Sequence, residues 1–136
     1  MACFQRKFEV RTSAHNEVVD VTELVRRAVA ESRAQAGQCN VFTPHATAAV
    51  TINENADPNI GTDFINALRK LIVEHDGWLH DRIDDNAAAH IKSALVGPSV
   101  VIPISGSNLS LGTWQNVFLC EFDGPRTRHL IVSVVS

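Results

Sequence analysis

The chain has 136 residues, of which 45% are hydrophobic and 20% charged, and its formal net charge is −3 with histidine neutral. This length and composition predict one soluble globular domain, residues 1–136, with a sizeable core. The sequence lacks a basic stripe for nucleic acid, an apolar run of about 20 residues for a membrane span, and an apolar secretion signal at its start. We therefore expect neither a nucleic-acid partner nor a membrane partner.

The first third of the chain alternates strand and helix patterns. "FQRKFEV" alternates apolar and polar residues and predicts a half-exposed strand. "DVTELVRRAVAESRAQAG" predicts a helix, with Asp20 and Glu23 spaced as in a capping box and Gly37 as its stop signal. "QCNVFTP" predicts the next strand.

The stretch "TPHATAAVTINEN", residues 43–55, predicts an unusual strand. In an extended chain its alanines and branched residues share one face: Ala46, Ala48, Val50 and Ile52. The other face carries short polar groups instead of long charged side chains, and it comprises His45, Thr47, Ala49, Thr51 and Asn53, with Glu54 following. Such a face is typical neither of open solvent nor of an apolar core.

The second half of the sequence completes an α+β pattern. "DPNIGTDFINALRKLIVEHDG" predicts a helix with Asp57 as its N-cap, and "DDNAAAHIKSALVGP" predicts a short helix that ends at Gly97. Four strand-like runs follow, "SVVIPI", "LSLG", "WQNVFLCEF" and "RHLIVSVVS". Interspersed helices with a strand-rich end favour a single compact α+β domain with a mixed or antiparallel sheet and about three helices. The last strand is apolar at nearly every position, so we expect both its faces to be covered.

The three cysteines form an odd set without C-x-x-C spacing. Cys39 and Cys120 lie in apolar, strand-like runs, which predicts buried free thiols. Free thiols are typical of a reducing compartment, so we expect the protein to be cytoplasmic.

Three histidines are candidates for a metal site. Asn86 and His90 are four residues apart and share one face of the last predicted helix, and His80 precedes that helix. His45, His80 and His90 offer three neutral imidazoles, which can hold a divalent ion and leave one position open. No H-E-x-x-H motif fixes two of them on one element. Three separate hydrogen-bonded histidines therefore remain the alternative.

Glu121 stands in an apolar strand, with the same parity as Gln115. A carboxylate there is costly unless it is paired, and Arg126 and Arg128 beyond the "DGPR" turn are its candidate partners. Arginine also holds phosphate or carboxylate groups in a bidentate manner. Both a structural ion pair and an anion site remain open, and Trp114 fits either the core or a pocket wall.

Several separate blocks of the sequence resemble one known family. "HATAAVTINENAD", "LHDRIDDNAAAHIKSALVGPS" and "LSLGTWQNVFLCEFDGPRTR" occur in order and, with the Val-rich last strand, look like the YjbQ-like family. Members of that family are often labelled secondary thiamine-phosphate synthases. One departure is visible, because the family has an acidic residue and glycine before its "LGTWQ" stretch, whereas this chain reads "SGSNLSLGTWQ".

The resemblance implies a compact α+β domain that assembles as a homotrimer around a polar pocket. The recurring residues of the family that are implied to bind substrate fall here on Thr47, Asn53, Asp57, Asn86, Thr113, Trp114, Gln115, Arg126 and Arg128. Two further recurring residues fall on Gly112 and Asp123. Those implied to be catalytic fall on His45, Glu54, His80, His90 and Glu121. The polar face of residues 43–55 is then expected to line the pocket.

The family label implies the formation of thiamine monophosphate from an aminopyrimidine-methyl pyrophosphate and a thiazole phosphate. A site for this reaction needs cations for the phosphoryl groups, which Arg126, Arg128 and a divalent ion such as Zn or Mg on His45, His80 and His90 could supply. Glu54 or Glu121 could act as general base in a related hydrolysis. A second hypothesis is a trimeric module that binds or senses a small anionic or phosphorylated molecule without turnover.

Overall fold

The computed structural model describes residues 2–136. Its helices are α1 (Thr22–Ser32), α2 (Asn59–Leu71) and α3 (Ala87–Val96), and a short 3-10 helix (Leu79–Arg82) precedes α3. Its strands are β1 (Cys3–Arg11), β2 (Glu17–Asp20), β3 (Ala36–Phe42), β4 (Ala48–Asn53), β5 (Ser99–Ser105), β6 (Asn108–Leu109), β7 (Asn116–Glu121) and β8 (Thr127–Val135).

The strands form two antiparallel sheets. The larger sheet has the order β1-β8-β3-β5-β6, and the smaller has the order β2-β7-β4. Every recorded strand pairing is antiparallel. The predicted single α+β domain with three helices is therefore confirmed.

The smaller sheet is the middle layer of the fold. Its Val117 and Leu119 point into the main core, which they share with Leu130 of β8 and Val25 of α1. Residues of opposite parity on the same sheet face the other way. Cys120 is one of them, and it packs with residues of α2 and α3 in a second, smaller cluster.

The free thiols behave as the sequence predicts. Cys39 and Cys120 are buried and unbonded, and Cys3 is exposed. Burial raises the pKa of the Cys39 thiol to about 11 and that of Cys120 to about 12, so both stay protonated near neutral pH. Among residues 2–136 no helix is both long and apolar enough to cross a bilayer.

The strand predicted for residues 43–55 is shorter than expected. β4 begins only at Ala48, because the Thr43 N–H bonds to the Pro98 carbonyl at 2.9 Å and the Thr43 hydroxyl donates to the His129 carbonyl at 3.0 Å. His45 and Thr47 therefore lie in a loop, and Ala46 is exposed. Within β4 the predicted alternation holds, with Ala48 and Val50 in the main core and Ala49 in the smaller cluster.

Two further strand boundaries differ from the prediction. The run "LSLG" is not a strand, since β6 ends at Leu109. β7 begins at Asn116, so Gln115 lies in a turn and does not share strand parity with Glu121. In that turn the Gln115 N–H donates to the Gly112 carbonyl, and the Gln115 side-chain oxygen accepts from the Gly112 N–H at 2.8 Å. Because these hydrogen bonds lie within the turn, residues 112–115 do not take part in the strand pairing of β7.

Only one face of β8 is covered within the chain. Leu130, Val132 and Val134 are buried on the inner face. On the outer face Ile131 is only partly buried and Val135 is exposed. The expectation that both faces are covered is wrong for the single chain, because no helix packs on that side.

A buried ion pair joins the two sheets. Glu121 ends β7 in the smaller sheet, and Arg128 is the second residue of β8 in the larger one. The Arg128 Nε donates to Glu121 Oε2 at 2.8 Å, and its Nη2 donates to Oε1 at 2.5 Å. The residues are 0% and 3% exposed, so the pair lies within the protein interior. The predicted pairing of Glu121 with a following arginine is confirmed.

The remaining hydrogen-bonding groups of this pair are also satisfied. The Thr12 hydroxyl donates to Glu121 Oε2 at 2.8 Å, and the Asp123 N–H donates to Oε1 at 2.9 Å. Arg128 Nη2 also donates to the Thr47 hydroxyl at 2.8 Å. Burial alone raises the pKa of Glu121, but the bonds from Arg128, Asp123 and Thr12 outweigh it and hold that pKa below its ordinary value.

Close packing around the carboxylate requires glycine at position 124. A Cβ there would lie 2.4 Å from the Ala14 carbonyl oxygen and 2.7 Å from Glu121 Cγ. Both distances are far inside van der Waals contact, and the nearer atom is backbone. The turn that follows β7 can therefore wrap over Glu121 only with a residue that has no side chain.

Replacement of Arg128 by alanine should destabilise the fold strongly. The substitution leaves the Glu121 carboxylate buried without its cation, a loss expected to cost about 3–5 kcal/mol. In urea unfolding at neutral pH, the loss should appear as a lower urea concentration at the midpoint of unfolding. Arg27→Ala, which removes the same charge from an exposed position on α1, should change the free energy of unfolding by less than about 0.5 kcal/mol. An Arg128→Ala protein with the wild-type midpoint would show that the pair contributes nothing.

Candidate functional site

Polar side chains from separate segments form two contact sets, His80 with His90 and Asn86 with Asp123 and Arg126, and both sets include a residue at or on α3. The 3-10 helix supplies His80, α3 and the residue before it supply His90 and Asn86, and the turn between β7 and β8 supplies Asp123 and Arg126. We call these five residues the polar cluster. Asp123 follows Glu121 by two residues and donates its N–H to it, so the ion pair holds the turn that carries this part of the cluster.

His80 and His90 are in direct contact. Their ring centroids are 4.7 Å apart, and the rings are nearly perpendicular, at 77°. The 3-10 helix is fixed to α3 because Asp81 Oδ1 accepts the Ala87 N–H at 2.9 Å. His80 Nε2 is buried and has no hydrogen-bond partner among residues 2–136, and the nearest carboxylate oxygen, from Asp84, is 3.6 Å away. A buried imidazole nitrogen without a partner is costly, so this atom is a candidate contact for a ligand.

Asp123 links Asn86 to Arg126. Its Oδ2 accepts from Asn86 Nδ2 at 2.9 Å and from Arg126 Nη2 at 2.7 Å, and its carbonyl accepts from Arg126 Nε at 2.7 Å. The Arg126 side chain is 54% exposed, so its remaining N–H groups face solvent. Arg126 is thus oriented by the fold yet accessible to an external anion.

His45 is held apart from the other two histidines. Its Nε2 accepts the His129 N–H at 2.9 Å, and its ring stacks on that of His129 with centroids 5.6 Å apart. Burial lowers the pKa of His45, and the positive charge of Arg128 lowers it further. His45 is therefore neutral, with its proton on Nδ1 and its Nε2 lone pair already used.

The predicted three-histidine metal site is only partly assembled in this chain. Within the described residues, no group of ligand atoms lying within 4.8 Å of one another contains His45, His80 and His90. His80 and His90 meet, and His80 offers a free nitrogen. His45 has no free lone pair to offer in the observed arrangement.

Glu121, Arg128 and Thr47 belong to the interior rather than to an open site. Both oxygens of Glu121 accept two hydrogen bonds each, which leaves no lone pair for a substrate proton. The general-base role predicted for Glu121 therefore does not fit this geometry. Arg128 is equally committed, so of the two predicted anion-holding arginines only Arg126 is accessible.

The other predicted residues lie at the far end of β4. A strand rises about 3.3 Å per residue, so Asn53 lies roughly 20 Å along β4 from Thr47. Asn53 Oδ1 accepts the Glu54 N–H at 2.8 Å, and Asp57 Oδ1 accepts the Asn59 N–H at 3.0 Å. Their recorded hydrogen bonds are local. The N-cap of α2 is Pro58, so the prediction of Asp57 at that position is wrong by one residue.

The "GTWQ" turn lies at this same far end. Asn53 pairs with Asn116 in the β4–β7 ladder, and the turn directly precedes Asn116. Three side chains of this turn are exposed: Thr113, Trp114 and Gln115. Within one chain Trp114 therefore lies neither in the core nor in a pocket wall. The predicted site residues thus divide into the polar cluster with its neighbours and a far-end group, Asn53, Glu54, Asp57, Thr113, Trp114 and Gln115.

Sequence reasoning missed a buried lysine on α3. Lys92 is 0% exposed, its Nζ donates to Asn16 Oδ1 at 3.0 Å, and it lies 5.8 Å from the centre of the Phe122 ring. Burial lowers its pKa. The available signal was its position two residues after His90, which places it on the opposite, inward face of the helix. Lys92 ties α3 to the segment between β1 and β2.

Comparisons with known proteins agree on one family. A family model described as "UPF0047 protein YjbQ-like" matches residues 6–136. The chain is 43% identical over 129 residues to a UPF0047 protein of Methanocaldococcus jannaschii, which covers 95% of this chain and 92% of that relative. It is 44% identical over 126 residues to a UPF0047 protein of Archaeoglobus fulgidus, which covers 93% of this chain and 97% of that relative.

Solved structures share the fold over nearly the full length. A YbjQ-like protein of unknown function from Sulfolobus solfataricus superposes with a TM-score of 0.95 at 35% identity, covering 98% of this chain and 96% of that one. An uncharacterized conserved protein of the same family from Clostridium acetobutylicum gives 0.92 at 41% identity, with 96% and 99% covered. On this sequence and structural similarity, the chain belongs to the YjbQ-like UPF0047 family.

Proposed function

We propose that this protein is an enzyme that acts on a small phosphorylated molecule at the polar cluster. The observation that carries this proposal is the contact between His80 and His90, in which a buried imidazole nitrogen has no partner. Arg126 lies in the same cluster through its bond to Asp123 and is accessible. The proton-transfer pair and the anion-holding arginine are thus connected through α3, because His90 follows Asn86 by four residues and Asn86 contacts Asp123.

The phosphoryl group would be held at the Arg126 side of the cluster. Arg126 lines a shallow depression of about 240 Å³ that also includes Arg11, Thr12, Pro125 and Thr127. Two arginines beside an open depression provide several N–H donors with the geometry that suits phosphate. Arg128 does not contribute, because its donors are directed to Glu121 and Thr47.

The resemblance to the YjbQ-like family supplies a candidate reaction, the weak formation of thiamine monophosphate. In that reaction the bond between the pyrimidine methylene carbon and a pyrophosphate oxygen breaks, and the thiazole nitrogen supplies the electron pair of the new C–N bond. Pyrophosphate leaves with the electron pair of the broken bond. A protonated imidazole of His80 or His90 could donate to a leaving oxygen, and Arg126 could hold a terminal phosphoryl group.

A divalent ion fits this cluster in part. His80 and His90 would hold it, with the unpartnered His80 Nε2 as the first ligand. When bound, a Zn or Mg ion would supply positive charge to a pyrophosphate group. His45 would join only if its bond to His129 were released.

The division of the predicted site residues supports an assembly of several copies, and the family resemblance implies that the number is three. Asn53, Gln115 and their neighbours lie at the opposite end of β4 from the polar cluster, so one chain does not bring the two groups together. Copies of the chain could do so across a subunit boundary. The outer face of the larger sheet carries exposed apolar side chains, Phe42, Val101 and Val135, that such an interface would cover. Three free thiols support the cytoplasmic location.

One observation favours the alternative of a binding or regulatory protein without turnover. The Glu121 and Asp123 carboxylates near the cluster are both engaged in hydrogen bonds and ion pairs within the chain. With neither of these two carboxylates free to act as a base, the cluster can hold an anionic ligand but relies on its imidazoles for proton transfer.

Substitution of His90 should reduce activity without unfolding the protein. With both thiamine precursors and a divalent cation, His90→Ala should form thiamine monophosphate at least about tenfold more slowly, because one acid–base group is lost. Arg126→Ala should raise the substrate concentration needed for half-maximal rate. Arg27→Ala, the matched removal of an exposed arginine, should leave both quantities unchanged. Equal rates in wild type and a folded His90→Ala protein would exclude catalysis at this cluster and favour the binding protein.

Size-exclusion chromatography with light scattering should give three times the mass of one chain. Val101→Lys should lower this mass, because it places a charge on the exposed outer face of the larger sheet. A wild-type protein that elutes with the mass of one chain at micromolar concentration would contradict the trimer.

A further inference from the structure

A second group of ligand-type side chains uses different residues from the His80–His90 pair. A cavity of about 140 Å³ is bounded by the loop after α2, the 3-10 helix and the start of α3. Its lining includes His75, Asp81 and Asp85, and also Asn86. We propose that this cavity binds a divalent transition-metal ion through His75, Asp81 and Asp85. The proposal does not depend on the proposed function, because none of these ligands is His80 or His90.

The ligand atoms are already gathered around one point. His75 Nδ1 lies 3.0 Å from Asp85 Oδ1 and 3.9 Å from Asp81 Oδ2. Atoms from all three residues lie within 4.8 Å of one another. Ligands that surround one ion tetrahedrally at about 2.0–2.2 Å lie about 3.3–3.6 Å from one another. The ligand atoms must therefore draw together by roughly 1 Å, which rotation of the exposed His75 and Asp85 side chains can supply.

Buried oxygen atoms of the cavity give independent support. Asp81 Oδ2 and Asn86 Oδ1 are both buried and accept no hydrogen bond among residues 2–136. The other polar atoms of these side chains are used, because Asp81 Oδ1 accepts the Ala87 N–H and Asn86 Nδ2 donates to Asp123. The Asp81 side chain is only 16% exposed. A buried carboxylate oxygen without a donor is costly, and a bound cation offsets that cost.

The charge and chemistry of the lining define the class of ligand. Glu74, Asp81 and Asp85 all line the cavity, and Glu74 is engaged by His15 at 2.8 Å. This acidic lining favours a cation over an anion. One imidazole with carboxylate oxygens suits Zn²⁺ or Mn²⁺, whereas Mg²⁺ and Ca²⁺ prefer oxygen ligands alone.

Calorimetric titration of the metal-free protein with Zn²⁺ and with Mn²⁺ tests the site. The wild type should bind an ion that Asp85→Asn and His75→Gly each weaken by at least about tenfold. Both replacements suit the left-handed backbone of these positions, whose φ angles are 58° and 57°, so the fold should be kept. Asp84→Asn is the matched control, since it removes the same charge from the neighbouring exposed residue, and it should bind like wild type.

His90→Ala separates this site from the histidine pair. If the ion belongs to the cavity, His90→Ala should bind it with the wild-type affinity even if enzymatic activity is lost. Binding that is lost in His90→Ala but kept in Asp85→Asn and His75→Gly would overturn the proposal and place the ion at the histidine pair. Absence of binding to the wild type for both metals would also overturn it.

Discussion

The buried pair of Glu121 and Arg128 is the interaction on which the rest of the structure depends. It lies between the smaller and the larger sheet, and each of its hydrogen bonds fixes a different segment. Thr12 secures the segment after β1, Thr47 secures the loop that carries His45, and the Asp123 N–H secures the turn that carries Arg126. Loops are ordinarily the more mobile part of a fold, so this anchor is what gives the loop-borne side chains defined positions.

Burial of this ion pair carries a large desolvation free energy, so its hydrogen bonds are expected to form together. Two charges lose their hydration on burial, and the loss is offset only when both groups are fully hydrogen-bonded. The Glu121 carboxylate meets this condition with four bonds from three side chains or backbone groups, and its lowered pKa is the electrostatic consequence. Loss of Arg128 would leave a buried unpaired charge, and loss of either neutral donor would leave a buried acceptor position unfilled. The ion pair and the segments that it fixes are thus expected to form or to be lost together.

Local features of the fold followed from the sequence, whereas long-range contacts did not. Periodicity predicted the three helices and the alternation of Ala48, Ala49 and Val50 in β4, and the apolar context of Glu121 predicted its arginine partner. The late start of β4 depends on bonds from Thr43 to Pro98 and to His129, which no local pattern records. The position of His45 likewise depends on a partner 84 residues away. The sequence predicted that the polar residues of one strand, from His45 to Asn53, line a single pocket. In the structure they lie at opposite ends of β4.

Glu121 is an ionised carboxylate that Arg128 holds in the protein interior. Its pKa is lowered on folding, so the pair stabilises the protein above the unfolded-state value and this stabilisation is lost as the pH falls through the folded-state value. The most direct measurement is an NMR titration of the ¹³C-labelled side-chain carboxylate of Glu121 from neutral to acidic pH. Because the pKa of Glu121 is lowered, we expect the ionised form to predominate at pH 4.5, the ordinary value for glutamate, in the folded protein. Protonation of Glu121 above that pH in the folded protein would contradict this expectation.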